Sequence, residues 1–230
     1  MGHKVHPTVH RLNILFPWSS RWVSNEHYAE YLQQDIQIRE YLHERLPDAN
    51  IDSVHIERGP KQMTITVFAA KPGVIIGRGG QGLDALRKDI ERKFLHMALK
   101  VRLNVQELKN PALSAEVIAQ GVCKDIENRI PFRRVMKQNI ERAMKAGAQG
   151  VKIKLSGRLN GAEIARREML ASGKIPLITI RSNVNYCHRN ARTIYGMIGV
   201  KVWVYKGESF ELIDPLAHVN ETSVAKGKSS

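Results

Sequence analysis

The six residues from Gly77 to Gly82 read Gly-Arg-Gly-Gly-Gln-Gly. Glycine lacks Cβ, so at Gly77 and Gly80 a sugar-phosphate chain can come against the backbone. If a helix follows, its first amides point at the phosphate. Arg78 adds a charge inside the loop, and Lys71, Arg87 and Lys88 lie near it in sequence. A second group follows at residues 132–146. Placed at about 100° per residue, Met136, Ile140, Ala143 and Met144 share one side of a helix. Arg133, Arg134, Lys137 and Lys145 gather on the adjoining side, with Arg142 beyond. Glu141 is the one acid among these charges, so i, i+4 pairing does not neutralise the face. Arg158, Arg166, Arg167, Arg181, Arg189 and Arg192 extend the bias, and arginine suits bidentate contacts to phosphate.

Other residue groupings promise less. His3, His6 and His10 have no Cys or carboxylate among them and predict no metal site. Cys187-His188 lacks partners at ligand spacing. Glu163 and Glu168 can pair with Arg166 or Arg167, and no second carboxylate stands ready for acid–base work. No catalytic residue, metal or cofactor is therefore expected. Two cysteines, Cys123 and Cys187, cannot make a disulfide scaffold, and a reducing cytoplasm is the default expectation. No run of about 18 apolar residues suggests a membrane span, and the first residues do not read as a signal peptide.

Charge says where the chemistry sits. The 230 residues carry 36 basic and 22 acidic side chains, a formal +14. Residues 71–109 hold nine basic and four acidic residues; residues 129–192 hold fifteen and three. The surplus is confined to these two stretches, which is the footprint of a nucleic-acid binder.

Several elements must position them. Residues 1–24 have poor periodicity and read as an arm that docks, with Trp18 and Trp22 as anchors. Residues 25–46 have helical spacing. Residues 51–58 and 62–69 alternate as strands around a Gly59-Pro60 turn, an antiparallel hairpin. Ile75 and Ile76 are expected to pack a short helix under the glycine loop; residues 83–97 form the next helix and 99–107 a strand. Lys109-Asn110-Pro111 marks a boundary. Helices over about 113–129 and 132–146 follow, then a strand from Val151. The sequence further predicts a short helix over Ala162–Ala171, strands at 177–185 and 198–206 with Trp203 in the core, and a polar tail. The domain reading is an arm, 1–24; a first unit, 25–109; a second, 110–207; and a flexible tail, 208–230.

The loop matches two patterns. Gly77-x-Gly79-x-x-Gly82 fits the dinucleotide fingerprint, which would make the chain a nicotinamide-dependent oxidoreductase. That fingerprint needs a strand running straight into the loop within a parallel sheet, yet Pro72-Gly73 leaves three apolar residues and the strands upstream form a hairpin. Ile75-Ile76-Gly77-Arg78-Gly79-Gly80 instead resembles the I-I-G-x-x-G element of KH domains, which clamps about four single-stranded nucleotides. The helix-hairpin-loop-helix-strand order is similar to type II KH. The fold class expected is α+β: a three-stranded sheet with helices on one face, then a second α+β domain with a mixed sheet and two helices.

Further blocks carry a wider resemblance: Met1-Gly2-His3-Lys4-Val5-His6-Pro7 with Arg11-Leu12 and Trp18-x-x-x-Trp22; Phe132-Arg133-Arg134-Val135-Met136-Lys137; Ser156-Gly157-Arg158-Leu159-Asn160-Gly161-Ala162; and Tyr195 to Val204. With the loop, they resemble a family of bacterial-type small-subunit ribosomal proteins, from Met1 to about Glu208. The resemblance implies a structural, non-enzymatic protein bound to small-subunit rRNA in the head, beside small-subunit proteins ten and fourteen. It implies that Arg133, Arg134 and Lys137 grip mRNA at the mouth of its channel and help to open its secondary structure. Lys4, Arg11, Lys145, Arg158, Arg166, Arg167, Arg181, Arg189 and Arg192 are the other expected RNA contacts. A KH regulator outside the ribosome is the remaining alternative. The chain departs from the family pattern at Val9, Asn13, the Arg78-Gly79 loop interior, Asn160, Asn183 and Asn185.

Overall fold

The computed structural model describes residues 5–60, 62–95 and 99–216. His3, Lys4, Met97 and the tail beyond residue 216 lie outside them. Two four-stranded sheets each carry their own core.

The first sheet has the order β1-β2-β3-β4, from Ser20–Arg21, Ile51–Arg58, Gln62–Ala69 and Lys100–Glu107. β2 and β3 form the expected hairpin, and β4 runs parallel to β3. Helix α1 (Tyr28–Arg45) precedes the hairpin; α2 (Pro72–Ile76) and α3 (Gln81–Lys93) lie between β3 and β4. Ile38, Leu42, Ile75, Leu86 and Ile90 bury the helices against Ile56, Ile65, Val67 and Val101. This is the order expected of type II KH, with one addition. The arm supplies β1, parallel to β2 through Ser20 and Arg21, so the sheet has four strands rather than three.

The pin for that added strand is Asp35, wholly buried on α1. Its carboxylate accepts from Ser20 Oγ at 2.8 Å, Trp22 Nε1 at 2.9 Å and Arg58 at 2.6 and 3.0 Å. Trp22 thus anchors the arm, whereas Trp18 stays 58% exposed. Further up the arm, Arg11 is completely buried and crosses to the second domain. Its guanidinium donates to the carbonyls of Pro7, Pro176, Leu177 and Thr179 at 2.8–3.2 Å. Arg11 is therefore a structural clamp and not the RNA contact expected of it.

His55 on β2 is also buried, and its Nδ1 has no partner among the described residues. Burial, with Arg21 and Arg39 adding to it and Asp214 opposing, pushes its pKa down to about 4. The unfolded chain takes up this proton near pH 6.5; the folded chain resists it until about pH 4. Stability tied to His55 is thus full above pH 6.5 and lost as pH falls toward 4, on the order of 3 kcal/mol. Urea unfolding at pH 7.5 and 4.5 should show a smaller acid loss for His55→Leu than for the parent chain. Equal losses would remove His55 as the cause.

The second domain packs α4 (Ala115–Glu127) and α5 (Phe132–Lys145) on a sheet of order β6-β5-β8-β7, from Arg166–Gly173, Gly150–Gly157, Gly196–Glu208 and Ser182–Thr193. Every pairing is antiparallel, so the expected mixed sheet is corrected. The expected helix over Ala162–Ala171 is corrected too: its residues from Arg166 form edge strand β6 against β5. Good helix formers are overridden here by a ladder of backbone hydrogen bonds. The last two strands run further than expected, β7 to Thr193 and β8 from Gly196 to Glu208, while residues 177–181 are not strand. Trp203 is on the outer face, opposite Lys152 and Tyr186, and not in the core. Ile76 is 39% exposed, so Ile75 alone packs α2.

Polar contacts join the domains. Ser114 caps α4 through the Val117 amide and also donates to Asp52 of β2. Gln120 Nε2 donates to the Ile51 carbonyl at 2.8 Å. Arg189 pairs with Glu116 and lies 3.1 Å from His43 Nδ1. Its guanidinium is thus engaged between domains, with its side chain 35% exposed. The Cys187 thiol donates to Glu116, and burial pushes both thiols up, Cys123 to about 12.

Candidate nucleic-acid interface

The glycine loop joins α2 to α3. Gly77 has φ +69° with ψ −174°, a region open to glycine almost alone. Gly79 and Gly80 follow in left-handed conformations with open space where a Cβ would be. Gly82 differs: a Cβ there would meet the Ile75 carbonyl oxygen at 2.8 Å and that of Ile76 at 3.1 Å. Its role is to let α3 press on α2, which absorbs the third glycine of the dinucleotide fingerprint in packing. Arg78, Lys71 and Lys88 are exposed, and Arg87 leans toward Asp84 at 3.7 Å. The loop is an open turn whose backbone a phosphate can approach.

α5 is the second site. Phe132, Val135, Met136, Asn139, Ile140 and Ala143 are buried on one side. Arg133, Arg134 and Lys137 are exposed on the other. They occupy the first two turns, and that first turn holds no acid. Cations at a helix N-terminus oppose its dipole, by about 0.3–1 kcal/mol each. α5 thus carries its charge where helix stability disfavours it, which a ligand's phosphates would reverse. Arg166 of β6 joins them: Arg133 and Arg166 lie 5.8 and 5.6 Å from the Phe132 ring and share Glu168 at 3.8 and 3.6 Å.

Beside α5's N-terminus is a cleft of about 420 Å³, lined by Arg129, Arg158 and Arg192 with Glu127, Pro131 and Tyr195. The Arg158 guanidinium lies 5.4 Å from the Tyr195 ring, and its Nε donates to the Ala162 carbonyl at 2.9 Å. Arg129 is the residue that sequence reasoning missed. Its φ of +62° places it in the α4–α5 turn, and helical periodicity gives no cue to that. The other expected contacts disperse. Lys145 is at the far end of α5, about 18 Å along the axis from Arg133. Arg181 pairs with Glu208 at 2.9 Å. Arg167 is on the edge strand's outer side, opposite Ser156. Among the described residues no cluster of three or more metal-ligating side chains occurs, and no helix is long and apolar enough to cross a membrane.

A family model described as KH domain matches residues 37–113, and one described as Ribosomal protein S3, C-terminal domain, matches residues 122–204. Three relatives, each named small ribosomal subunit protein uS3, align over almost their whole length. The protein of Nitrosomonas europaea is 46% identical over 90% of this chain and 96% of its own. That of Nitrosomonas eutropha is 45% identical over 93% and 99%, and that of Enterococcus faecalis 43% over 90% and 94%. The chain belongs to the uS3 family. A uS3-family chain is a structural component of the small ribosomal subunit, and not an enzyme. The glycine loop lies within the KH match, and α5 with the arginine cleft lies within the uS3 C-terminal match.

Proposed function

We propose that this chain holds small-subunit rRNA in the head through its KH loop, and that Arg133, Arg134 and Lys137 line the mouth of the mRNA channel in a cytoplasmic ribosome. There they grip incoming message and assist its unwinding. The observation that carries this reading is α5: three exposed cations in its first two turns, set against the helix dipole, with an arginine cleft beside them. A phosphate chain crossing that end would be held without base specificity, as a channel for any message requires.

Replacing Arg133, Arg134 and Lys137 with Ala should leave subunit assembly intact and slow translation through mRNA hairpins several-fold, with unstructured message unaffected. The slope of log affinity for single-stranded RNA against log salt should shrink by about 2, at about 0.7 per phosphate contact. Unchanged hairpin passage would defeat the channel assignment. Gly77→Asp with Gly80→Asp addresses the rRNA half separately and should weaken crosslinking of rRNA at the loop. If the chain stayed with free RNA and did not co-sediment with small subunits, the regulator reading would replace this one.

The expected protein neighbours, ten and fourteen, call for a largely apolar surface. Ile14, Ile178 and Phe210 line one cleft at 53%, 90% and 83% exposure. Such a patch suits a protein partner. Photocrosslinks from position 178 in assembled subunits should fall on protein; crosslinks to rRNA alone would reject the patch as that contact.

A further inference from the structure

The outer face of the second sheet has no part in the sites above. Register fixes its pattern. Lys152 lies opposite Trp203, and Trp203 opposite Tyr186. One pleat along, Lys154 lies opposite Lys201, and Lys201 opposite His188. Arg167 stands in the next row, across from Ser156. These positions alternate with Val151, Ile153, Leu155, Val200, Val202 and Val204, all wholly buried. None of the outward positions in the three rows is Asp or Glu.

An ordinary solvated sheet face mixes charge signs, because opposite charges facing across strands stabilise and like charges directly opposite destabilise. Here Lys154 and Lys201 face each other. Beside them the Tyr186 and Trp203 rings lie 5.2 Å apart, and the Lys152 ammonium lies 5.2 Å from the Trp203 centroid. His6 of the arm meets Tyr186 edge-on at 4.6 Å, and the arm walls one side of a cleft of about 360 Å³. Opposed cations need an anion, and adjacent ring faces accept planar groups. A single-stranded RNA chain supplies both, phosphate and base in alternation. A protein acid would satisfy the lysines and leave the rings without a role.

We infer that this face is an RNA-binding platform separate from the KH loop and from α5. It takes one or two unpaired nucleotides, with bases against Trp203 and Tyr186 and phosphates along Lys154, Lys201 and Arg167. The platform does not depend on the channel assignment.

The test uses the full chain carrying Gly77→Asp, Gly80→Asp, Arg133→Ala, Arg134→Ala and Lys137→Ala, with a fluorescein-labelled uridine 12-mer read by anisotropy. Salt-sensitive binding should persist. Adding Lys154→Glu and Lys201→Glu should weaken it at least about tenfold and reduce the salt slope by about 1.4. Adding Trp203→Leu should weaken it about tenfold with the salt slope unchanged. If Trp203→Leu misfolds by circular dichroism, Tyr186→Leu replaces it, and the surface lysine pair stands on its own. Absence of binding in the five-fold variant, or binding indifferent to the lysine reversal, overturns the platform even if the other two sites behave as proposed. Displacement of the RNA by polyglutamate as readily as by unlabelled oligouridylate also overturns it, because the rings would then contribute nothing.

Discussion

Replacing Asp35 with Ala should lower the unfolding free energy by about 3–5 kcal/mol, the range for removing one partner of a buried ion pair. The reason is what remains. Arg58, with its side chain 4% exposed, would keep its charge and lose its carboxylate. Gln34 Oε1 at 2.8 Å and the Tyr31 ring at 4.7 Å stay with it, but neither carries a negative charge. Ser20 Oγ and Trp22 Nε1 would lose their acceptor in the same step. The damage should therefore have an address. The β1 amides should become exchangeable and Trp22 emission should shift, while the second domain keeps its protection. Asp35→Asn, which retains an oxygen in place, should fall between the two. A loss under about 1 kcal/mol, or a β1 still protected in Asp35→Ala, would show that the arm is held by something else.

Arg11→Ala should have the next largest effect, about 3 kcal/mol. A hydrogen bond to a charged group is worth about 1.5–3 kcal/mol, and Arg11 makes four, all to carbonyls. The sum is not reached, because the 176–179 segment can swing out and return its carbonyls to water. The loss should be local: faster proteolysis within residues 5–16 and at the 174–181 loop, with the KH loop's RNA affinity unchanged. Arg11→Lys should recover little. One ammonium cannot span carbonyls that a planar guanidinium reaches from two ends. Equal protease sensitivity in the parent and Arg11→Ala chains would dismiss the clamp.

Arg11 and Asp35 also mark the limit of sequence reading. Periodicity located α1, the β2–β3 hairpin, α3, α4, α5 and β5, because each shows its buried stripe within a dozen residues. The glycine loop and the exposed cations of α5 were legible for the same local reason. Arg11, by contrast, looks like any arginine in a basic chain. Three of its four partners are 165–168 residues away, and all are carbonyls, which have no residue signature. Asp35 sits in a helix among other acids, and only the fold brings Ser20, Trp22 and Arg58 around it. The misread helix at 162–171 fails differently. Ala-Glu-Ile-Ala-Arg-Arg-Glu has good helix propensity, and what decides against it is an edge of β5 awaiting a partner. A strand tryptophan is expected in the core because large rings usually are, while the register with Lys152 decides the face that Trp203 takes.

The arm's double attachment sets an order of events when the chain is made. β1 needs α1 and β2, so its docking is complete once about sixty residues have emerged. The Arg11 clamp closes on Thr179, 168 residues later. Counted from the end of β4 at Glu107, and at about 5–20 residues per second, that leaves roughly 4–14 s in which a finished KH unit trails an N-terminal guanidinium without its distant carbonyls. During that interval the Arg11 guanidinium is left to solvent. Synthesis of the 176–179 segment withdraws it, so the same arginine has one environment in the growing chain and another in the finished fold.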